Sequence, residues 1–108
     1  MTVYWLSLTR PATDYTVFVH LLDKSGQVAA GWDTPPVNGN YPTHLWSKDE
    51  IVEDHHHLTL PPDLASNDYR LVIGLYQIET LQRLAVLDSS GSRVPNDAIP
   101  LLVVPVRE

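Results

Sequence analysis

The sequence predicts an all-β domain, and three observations support that fold class. Apolar residues alternate with polar or small ones over short runs, and this period of two is typical of strands. Turn residues separate the runs, since the 108-residue chain contains 9 prolines and 5 glycines. A corner at Pro61 and Pro62 leads through Leu64 to Tyr69 and into an alternating strand. In sandwiches of the immunoglobulin and fibronectin type III kind, a tyrosine at such a corner donates a hydrogen bond to backbone upstream, so we expect an immunoglobulin/fibronectin type III-like β-sandwich of about seven antiparallel strands.

The first predicted strands follow from alternation and from the turns that end it. Residues 2–9 alternate until a proline-containing turn, and within them Tyr4 and Trp5 point to opposite faces, so only one of these rings can face the core. Residues 14–23 alternate in the same way, and a short polar link with a glycine suited to positive φ follows them. Residues 28–33 should therefore pair back onto residues 14–23 as a hairpin.

The second half of the chain begins with a segment that is too broken for a strand. Residues 34–48 contain several prolines, asparagines and a glycine, yet they also contain large apolar side chains, so we predict an ordered, packed loop. A second alternating run covers residues 50–60, with a break near Asp54. The remaining predicted strands lie at residues 69–77, 82–87 and 101–106.

Length and charge limit the classes of function. A chain of 108 residues has the usual size of one domain, so residues 1–108 should form a single β-sandwich domain. Its 7 Lys and Arg against 13 Asp and Glu give a net charge of -6, which argues against nucleic acid as a partner. No apolar run approaches the roughly 20 residues of a membrane-spanning helix, so we expect no direct membrane insertion. The absence of cysteine excludes disulfides and thiol chemistry, and no motif indicates a cofactor.

Strand-like sequence reaches both ends of the chain, from Thr2 onward and up to Val106. Whole proteins usually carry a few poorly ordered residues at their termini. We therefore expect this domain to be excised from a larger protein.

Six short segments give the chain a resemblance to a known class of domain. They read DYTVFVHLLD at 14–23, DTPP at 33–36, YPT at 41–43, LW at 45–46, YRL at 69–71 and GLY at 74–76. With them the chain resembles the small C-terminal β-domain of certain bacterial polytopic membrane proteins that are similar to mannosyltransferases acting on lipid-linked sugars. The resemblance implies a non-catalytic, extracytoplasmic accessory domain of a membrane-bound, glycosyltransferase-like protein, with the covalently attached membrane domain as its partner. It implies no catalytic residue in this chain, because catalysis in such enzymes is expected in the membrane part.

An alternative function is carbohydrate binding by aromatic residues in and beside the predicted loop. Aromatic rings stack on the apolar faces of sugar rings, and neighbouring polar groups bind the hydroxyls. The residues that could form such a site are Trp32, Asp33, Tyr41, His44 and Trp46. The same rings could instead anchor the loop, because an irregular segment of this length stays ordered only if large side chains pack beneath it. The sequence favours packing and leaves a glycan as the alternative partner.

Three consecutive histidines follow Asp54. In an extended strand His55 and His57 would project to one face about 7 Å apart, with Asp54 and His56 on the other face. Two ligands are too few for a structural or a catalytic zinc site, and a third could come only from a histidine distant in sequence. We therefore expect solvent-exposed strand histidines and no metal site.

The serines and the remaining carboxylates predict no catalytic residue. The chain has no Gly-x-Ser-x-Gly motif, which would indicate a serine nucleophile. Asp49, Glu50, Glu53 and Asp54 cluster in sequence but lack the spacing of a calcium loop. We expect these carboxylates to form a solvated acidic edge, which protects a sheet from pairing with other molecules.

Overall fold

The computed structural model describes residues 1–88 and 90–106. Within them the chain forms six strands and three short 3-10 helices, which confirms the all-β class. The strands are β1 (Thr2–Leu6), β2 (Thr16–Leu22), β3 (Val28–Thr34), β4 (Ile51–His55), β5 (Asn67–Tyr76) and β6 (Ile99–Val106). The 3-10 helices are Pro36–Gly39, Thr43–Leu45 and Pro95–Asp97. No helix in the described part of the chain has the length and apolar character required to cross a bilayer.

The strands form two antiparallel sheets. One sheet consists of β1 and β4, with Thr2 opposite His55 and Leu6 opposite Ile51. The other sheet has the strand order β3-β2-β5-β6. The hairpin predicted between β2 and β3 is confirmed, and its turn contains Gly26 at a φ of 88°, which glycine adopts without a steric penalty.

The hydrophobic core contains residues of both sheets. Side chains at alternate positions of the strands are buried there, because successive residues of a strand point to opposite faces. Of the two aromatic residues in β1, Trp5 is buried and Tyr4 is 64% exposed, so the alternation predicted for this strand is confirmed. The buried residues of the core are Trp5, Val17, Val19, Leu21, Val52, Tyr69, Leu71, Ile73 and Leu75, together with Trp46 from the loop.

The tyrosine corner predicted before β5 is confirmed. Tyr69 is buried, and its hydroxyl donates a hydrogen bond to the backbone oxygen of Ala65 at 2.8 Å. Leu64 is partly buried and packs against the hydrophobic core. These contacts fix the path of the chain where it enters β5.

The prediction of a strand over residues 82–87 is wrong. The segment forms isolated bridges only, the first between Tyr76 and Arg83. β5 lies between β2 and β6, so both of its edges are already paired along most of its length. Only its last residues remain free on the β6 side, where the Leu84 amide donates to the Leu75 oxygen at 2.8 Å. The described residues therefore contain six strands, against about seven predicted.

β4 is also shorter than the strand predicted over residues 50–60. It contains 5 residues and pairs with β1, which contains 5 residues as well. β4 ends at His55, opposite Thr2, and one more pair of backbone hydrogen bonds beyond it joins Met1 and His56, at 2.9 and 2.7 Å. The break predicted near Asp54 thus lies one residue from the observed end of the strand.

Candidate functional site

The three aromatic rings of the predicted sugar site pack against the hydrophobic core. Trp46 is 3% exposed, and Trp32 and Tyr41 are partly buried beside the same cluster. Trp46 Nε1 donates a hydrogen bond to the backbone oxygen of Tyr41 at 3.0 Å. The Tyr41 hydroxyl donates to Glu50 at 2.7 Å, and this bond raises the pKa of Tyr41 above its ordinary value. The rings of Tyr41 and Trp46 therefore anchor the loop over residues 34–48.

The two polar residues of the same prediction are bonded to residues outside it. Asp33 is on the opposite face of β3 from Trp32, where it accepts a hydrogen bond from the Tyr76 hydroxyl at 3.0 Å. His44 lies at the surface, where its Nδ1 donates to Asp14 Oδ1 at 2.7 Å. The rings of the predicted glycan site thus pack against the core, whereas its polar groups are bonded to residues outside that site.

The histidine run divides between the interior and the surface. His55 and His57 are exposed, whereas His56 and Asp54 are buried. The predicted alternation is present, but the expectation of exposed histidines is wrong for His56, whose face of β4 points into the core. His55 Nε2 donates to Glu53 at 3.1 Å at the surface. Among residues 1–88 and 90–106, no three His, Asp or Glu side chains are grouped closely enough to hold a metal ion.

Asp54 is the centre of a buried polar cluster. Its Oδ2 accepts hydrogen bonds from Trp5 Nε1 at 3.1 Å and from His56 Nε2 at 2.7 Å. Its Oδ1 accepts a hydrogen bond from the Val37 amide at 2.8 Å. These bonds join β1, the end of β4 and the 3-10 helix Pro36–Gly39. A buried carboxylate is costly unless its oxygens are bonded. The cluster therefore stabilises the fold only while these three segments stay together.

The prediction of an acidic edge is wrong for Asp54. Glu53 is exposed, whereas Asp54 is 1% exposed because it shares the inward face of β4 with Val52. The signal that could have identified it is its phase with Val52, His56 and Leu58. A carboxylate that alternates in phase with apolar residues indicates a buried position, provided that donors lie nearby.

The outer face of the four-stranded sheet carries a feature that the sequence did not predict. Phe18 is 1% exposed there, and the Arg83 guanidinium lies 4.4 Å from the centre of its ring. Gly74, which pairs with Phe18, leaves room for this ring, since a Cβ at that position would approach it within 2.4 Å. The segment between β5 and β6 therefore folds back onto this end of the sheet and covers it.

Beside this cover the sheet forms a groove of about 720 Å³, named the sheet groove below. Its volume lies in the range of about 300–1,000 Å³ that small-molecule sites occupy. The groove combines aliphatic side chains from the strands with cationic groups. Its lining includes Leu22, Val28, Val72 and Val103 from the four strands, His20, Arg70 and Arg83, and residues 94–98, 100 and 101 along one wall.

The charged side chains in the sheet groove are two arginines and one carboxylate among the described residues. Arg70 and Arg83 are exposed. The carboxylate, Asp97, accepts hydrogen bonds from Arg93 at 3.0 and 2.7 Å, and these bonds hold its pKa below the ordinary value. Burial lowers the pKa of His20, so this ring is neutral at neutral pH. The groove is therefore a cationic region on an acidic chain.

The outer face of the smaller sheet is a second exposed surface, named the β1–β4 face. Leu6 and Ile51 lie opposite each other on it and are 57% and 67% exposed. The Tyr4 hydroxyl donates to Glu53 Oε1 at 2.9 Å next to this pair. The face therefore has an apolar end and a polar end. Its residues are Thr2, Tyr4, Leu6, Ile51, Glu53 and His55.

Comparisons with protein-family models, with curated proteins and with solved structures found no match to this chain. The resemblance to accessory domains of membrane proteins therefore stays a prediction from the sequence segments quoted above. Two surfaces of the described residues could bind another molecule, namely the β1–β4 face and the sheet groove.

Proposed function

We propose that the chain is a non-catalytic accessory domain, of immunoglobulin/fibronectin type III-like topology, of a larger membrane-bound, glycosyltransferase-like protein. In this proposal it lies on the extracytoplasmic side of the membrane. The observation that carries its role is the β1–β4 face, whose exposed apolar end is suited to docking onto another domain. The glycosyltransferase-like parent is inferred from the sequence resemblance alone.

The strand order supports the immunoglobulin-like type. In such sandwiches the strands lettered C′, C, F and G share one sheet, and strands B and E share the other. The order β3-β2-β5-β6 corresponds to C′-C-F-G, and the pair β1-β4 corresponds to B-E. Tyr69, near the start of β5, then takes the place of the tyrosine corner at the beginning of strand F.

The β1–β4 face supports docking because its apolar residues are adjacent. Leu6 and Ile51 pair across the two strands, so their side chains are direct neighbours. Single exposed apolar residues are ordinary on a protein surface, whereas larger contiguous patches with a polar rim mark contact surfaces. Burial of both against a partner would contribute about 1.5–3 kcal/mol for each side chain. Tyr4 and Glu53 would form the polar rim of the contact.

An antibody raised against the domain tests the parent context. In native cells we expect it to detect a protein much larger than 12.1 kDa in the membrane fraction. Added protease should remove the epitope while the cytoplasmic membrane is still intact, because the domain lies on the extracytoplasmic side. A species of 12.1 kDa in the cytosolic fraction would contradict the proposal.

Paired lysine substitutions in the full-length protein test the docking surface. Ile51→Lys places a charge in the apolar end of the β1–β4 face and should speed the release of the domain in limited proteolysis. Ile78→Lys is the matched control, since Ile78 is 62% exposed, against 67% for Ile51, and lies outside that face. Equal rates of release for the two variants would contradict docking through this face.

Carbohydrate binding is the alternative proposal, and it has less support. Trp46 and Tyr41 already pack against the core, whereas His44 and Asp33 lie on other parts of the surface. A glycan would have to reach rings that are partly or fully covered. Titration with mannose- and glucose-containing oligosaccharides tests this alternative.

A further inference from the structure

We propose that the sheet groove binds a single-chain anionic amphiphile, of which a long-chain fatty acid carboxylate is the simplest example. The aliphatic side chains of the strands would bind the chain, and the Arg70 guanidinium would bind the anionic head. The groove lies on the four-stranded sheet, whereas the docking proposed above uses the outer face of the other sheet. Either proposal can therefore fail without the other.

The aliphatic part of the groove comes from outward positions of four strands. Outward-facing residues of a sandwich usually are polar, because they face water. Here β2, β3, β5 and β6 contribute Leu22, Val28, Val72 and Val103 to the groove. Val28 and Val103 are 54% and 59% exposed, so the described residues leave them in contact with solvent. Covering them with an aliphatic chain favours binding in proportion to the apolar area that is removed from water.

The charge of the groove specifies an anionic head. The chain has a net charge of -6, yet the groove contains Arg70 and Arg83. Among the described residues, no carboxylate forms an ion pair with Arg70, whereas Arg83 donates a hydrogen bond to the Asn96 oxygen at 3.0 Å and lies over the Phe18 ring. Asp97 in the wall is already bonded to Arg93. A guanidinium presents parallel N–H donors that match the two oxygens of a carboxylate.

The geometry favours an amphiphile over a peptide or a sugar. An extended peptide binds through main-chain hydrogen bonds at a strand edge. The groove instead lies on the face of a sheet whose central strands, β2 and β5, have neighbours on both sides. A sugar ring is held by aromatic faces, and none of the described lining residues is Trp, Tyr or Phe.

An NMR titration of the labelled domain with sodium laurate, kept below its critical micelle concentration, tests the site. We expect saturable shifts at the methyl groups of Val28, Val72 and Val103 and at the His20 ring. Acetate has the same head without the chain, and dodecyltrimethylammonium has the same chain with the opposite charge. Neither should produce saturable shifts at these groups. An equal response to either control, or no saturation with laurate, would overturn the proposal.

A pair of arginine variants tests the head group contact. Arg70→Gln removes a guanidinium from the groove and should raise the Kd for laurate about tenfold, as expected for a hydrogen bond to a charged group. Arg10→Gln makes the same change at an exposed arginine that does not line the groove. An equal change of Kd in both variants would mean that only the overall charge matters, which would overturn the specific site.

Two substitutions at one position separate charge from shape. Val103→Asp and Val103→Asn are close in size, and Val103 is exposed on the edge strand β6, so both variants should fold, which circular dichroism can verify. Val103 is paired with Arg70, so the carboxylate of Val103→Asp would lie beside the laurate head and should raise its Kd about tenfold more than Val103→Asn does. Equal values of Kd for the two variants would contradict an anionic occupant.

Discussion

The His56–Asp54 pair in the core and the His44–Asp14 pair at the surface have the same nitrogen–oxygen distance, 2.7 Å, in opposite surroundings. The side chains of His56 and Asp54 are 4% and 1% exposed, whereas those of His44 and Asp14 are 50% and 58% exposed. Breaking a buried pair by removing one partner costs about 3–5 kcal/mol, and an exposed pair contributes about 0–1 kcal/mol. Burial, and not distance, therefore decides how much each pair contributes to stability.

Both pairs hold the same loop, which makes the comparison direct. Asp54 accepts a hydrogen bond from the Val37 amide near the beginning of the loop. Asp14 accepts one from the His44 amide at 3.1 Å near its end. Beside His44, the buried Thr43 hydroxyl donates to the Thr13 oxygen at 2.8 Å. The loop is thus fixed by a buried carboxylate at one end and by an exposed one at the other.

The largest expected effect is that of Asp54→Ala. It leaves Trp5 Nε1, His56 Nε2 and the Val37 amide without their acceptor, so the free energy of unfolding should fall by about 3–5 kcal/mol. Urea denaturation followed by tryptophan fluorescence measures this change.

Asp14→Ala is the matched control, because it removes a carboxylate with a histidine at the same distance. We expect a loss below about 1 kcal/mol. Similar losses for Asp14→Ala and Asp54→Ala would show that the buried cluster around Asp54 contributes no more to stability than the exposed pair does.

A second large effect is expected for Trp46→Ala, which tests whether packing holds the loop between its two carboxylates. The ring is 3% exposed, so its removal should lower the free energy of unfolding by about 3–5 kcal/mol. If the ring instead serves a glycan, the variant should keep its stability and lose binding. Oligosaccharide at millimolar concentration is sufficient for this test, because a Kd of 1 mM corresponds to about 4 kcal/mol.

The sequence predicted the division of β4 into two faces but not which face is buried. Alternation placed Asp54 and His56 together, opposite His55 and His57, and the structure has this arrangement. The phase of Asp54 with Val52 and Leu58 favours the buried face, but both faces contain charged or titratable residues, so hydropathy alone does not decide between them. The deciding partners are Trp5 and Val37, whose positions depend on the pairing of β1 with β4 and on the loop path.

The same limit explains why the sheet groove was missed. Its aliphatic residues lie on four strands, from Leu22 to Val103, and become neighbours only through the strand order β3-β2-β5-β6. Each of them alone is an ordinary strand residue. By contrast, the tyrosine corner at Tyr69 could be predicted because its hydrogen bond spans only 4 residues.

A smaller effect is expected for Tyr69→Phe, which removes one neutral hydrogen bond and keeps the ring. The hydrogen bond from the Tyr69 hydroxyl to Ala65 is partly buried. Its exposure to solvent is therefore intermediate between that of the buried and that of the exposed histidine–aspartate pair. We expect a loss of about 1 kcal/mol in the free energy of unfolding. A loss as large as that of Asp54→Ala would mean that the corner depends on the hydroxyl more than on the packing of the ring.

The smallest expected effect is the pH dependence of the surface pair. Hydrogen bonds from His44 hold the pKa of Asp14 below its ordinary value of 3.8, so the ionised carboxylate favours the folded state. This contribution is present above pH 3.8 and is lost as the pH falls through the lower pKa of the folded state. Asp14→Asn should therefore be less stable than the unsubstituted chain at pH 6, by less than about 1 kcal/mol, and should approach it in stability near pH 2. Other carboxylates also have lowered pKa values, among them Glu50 and Glu53, so only the difference between the two proteins reports on Asp14. Urea denaturation at both pH values gives that difference, and a gap that stays constant with pH would show that the surface pair acts through its shape and not through its charge.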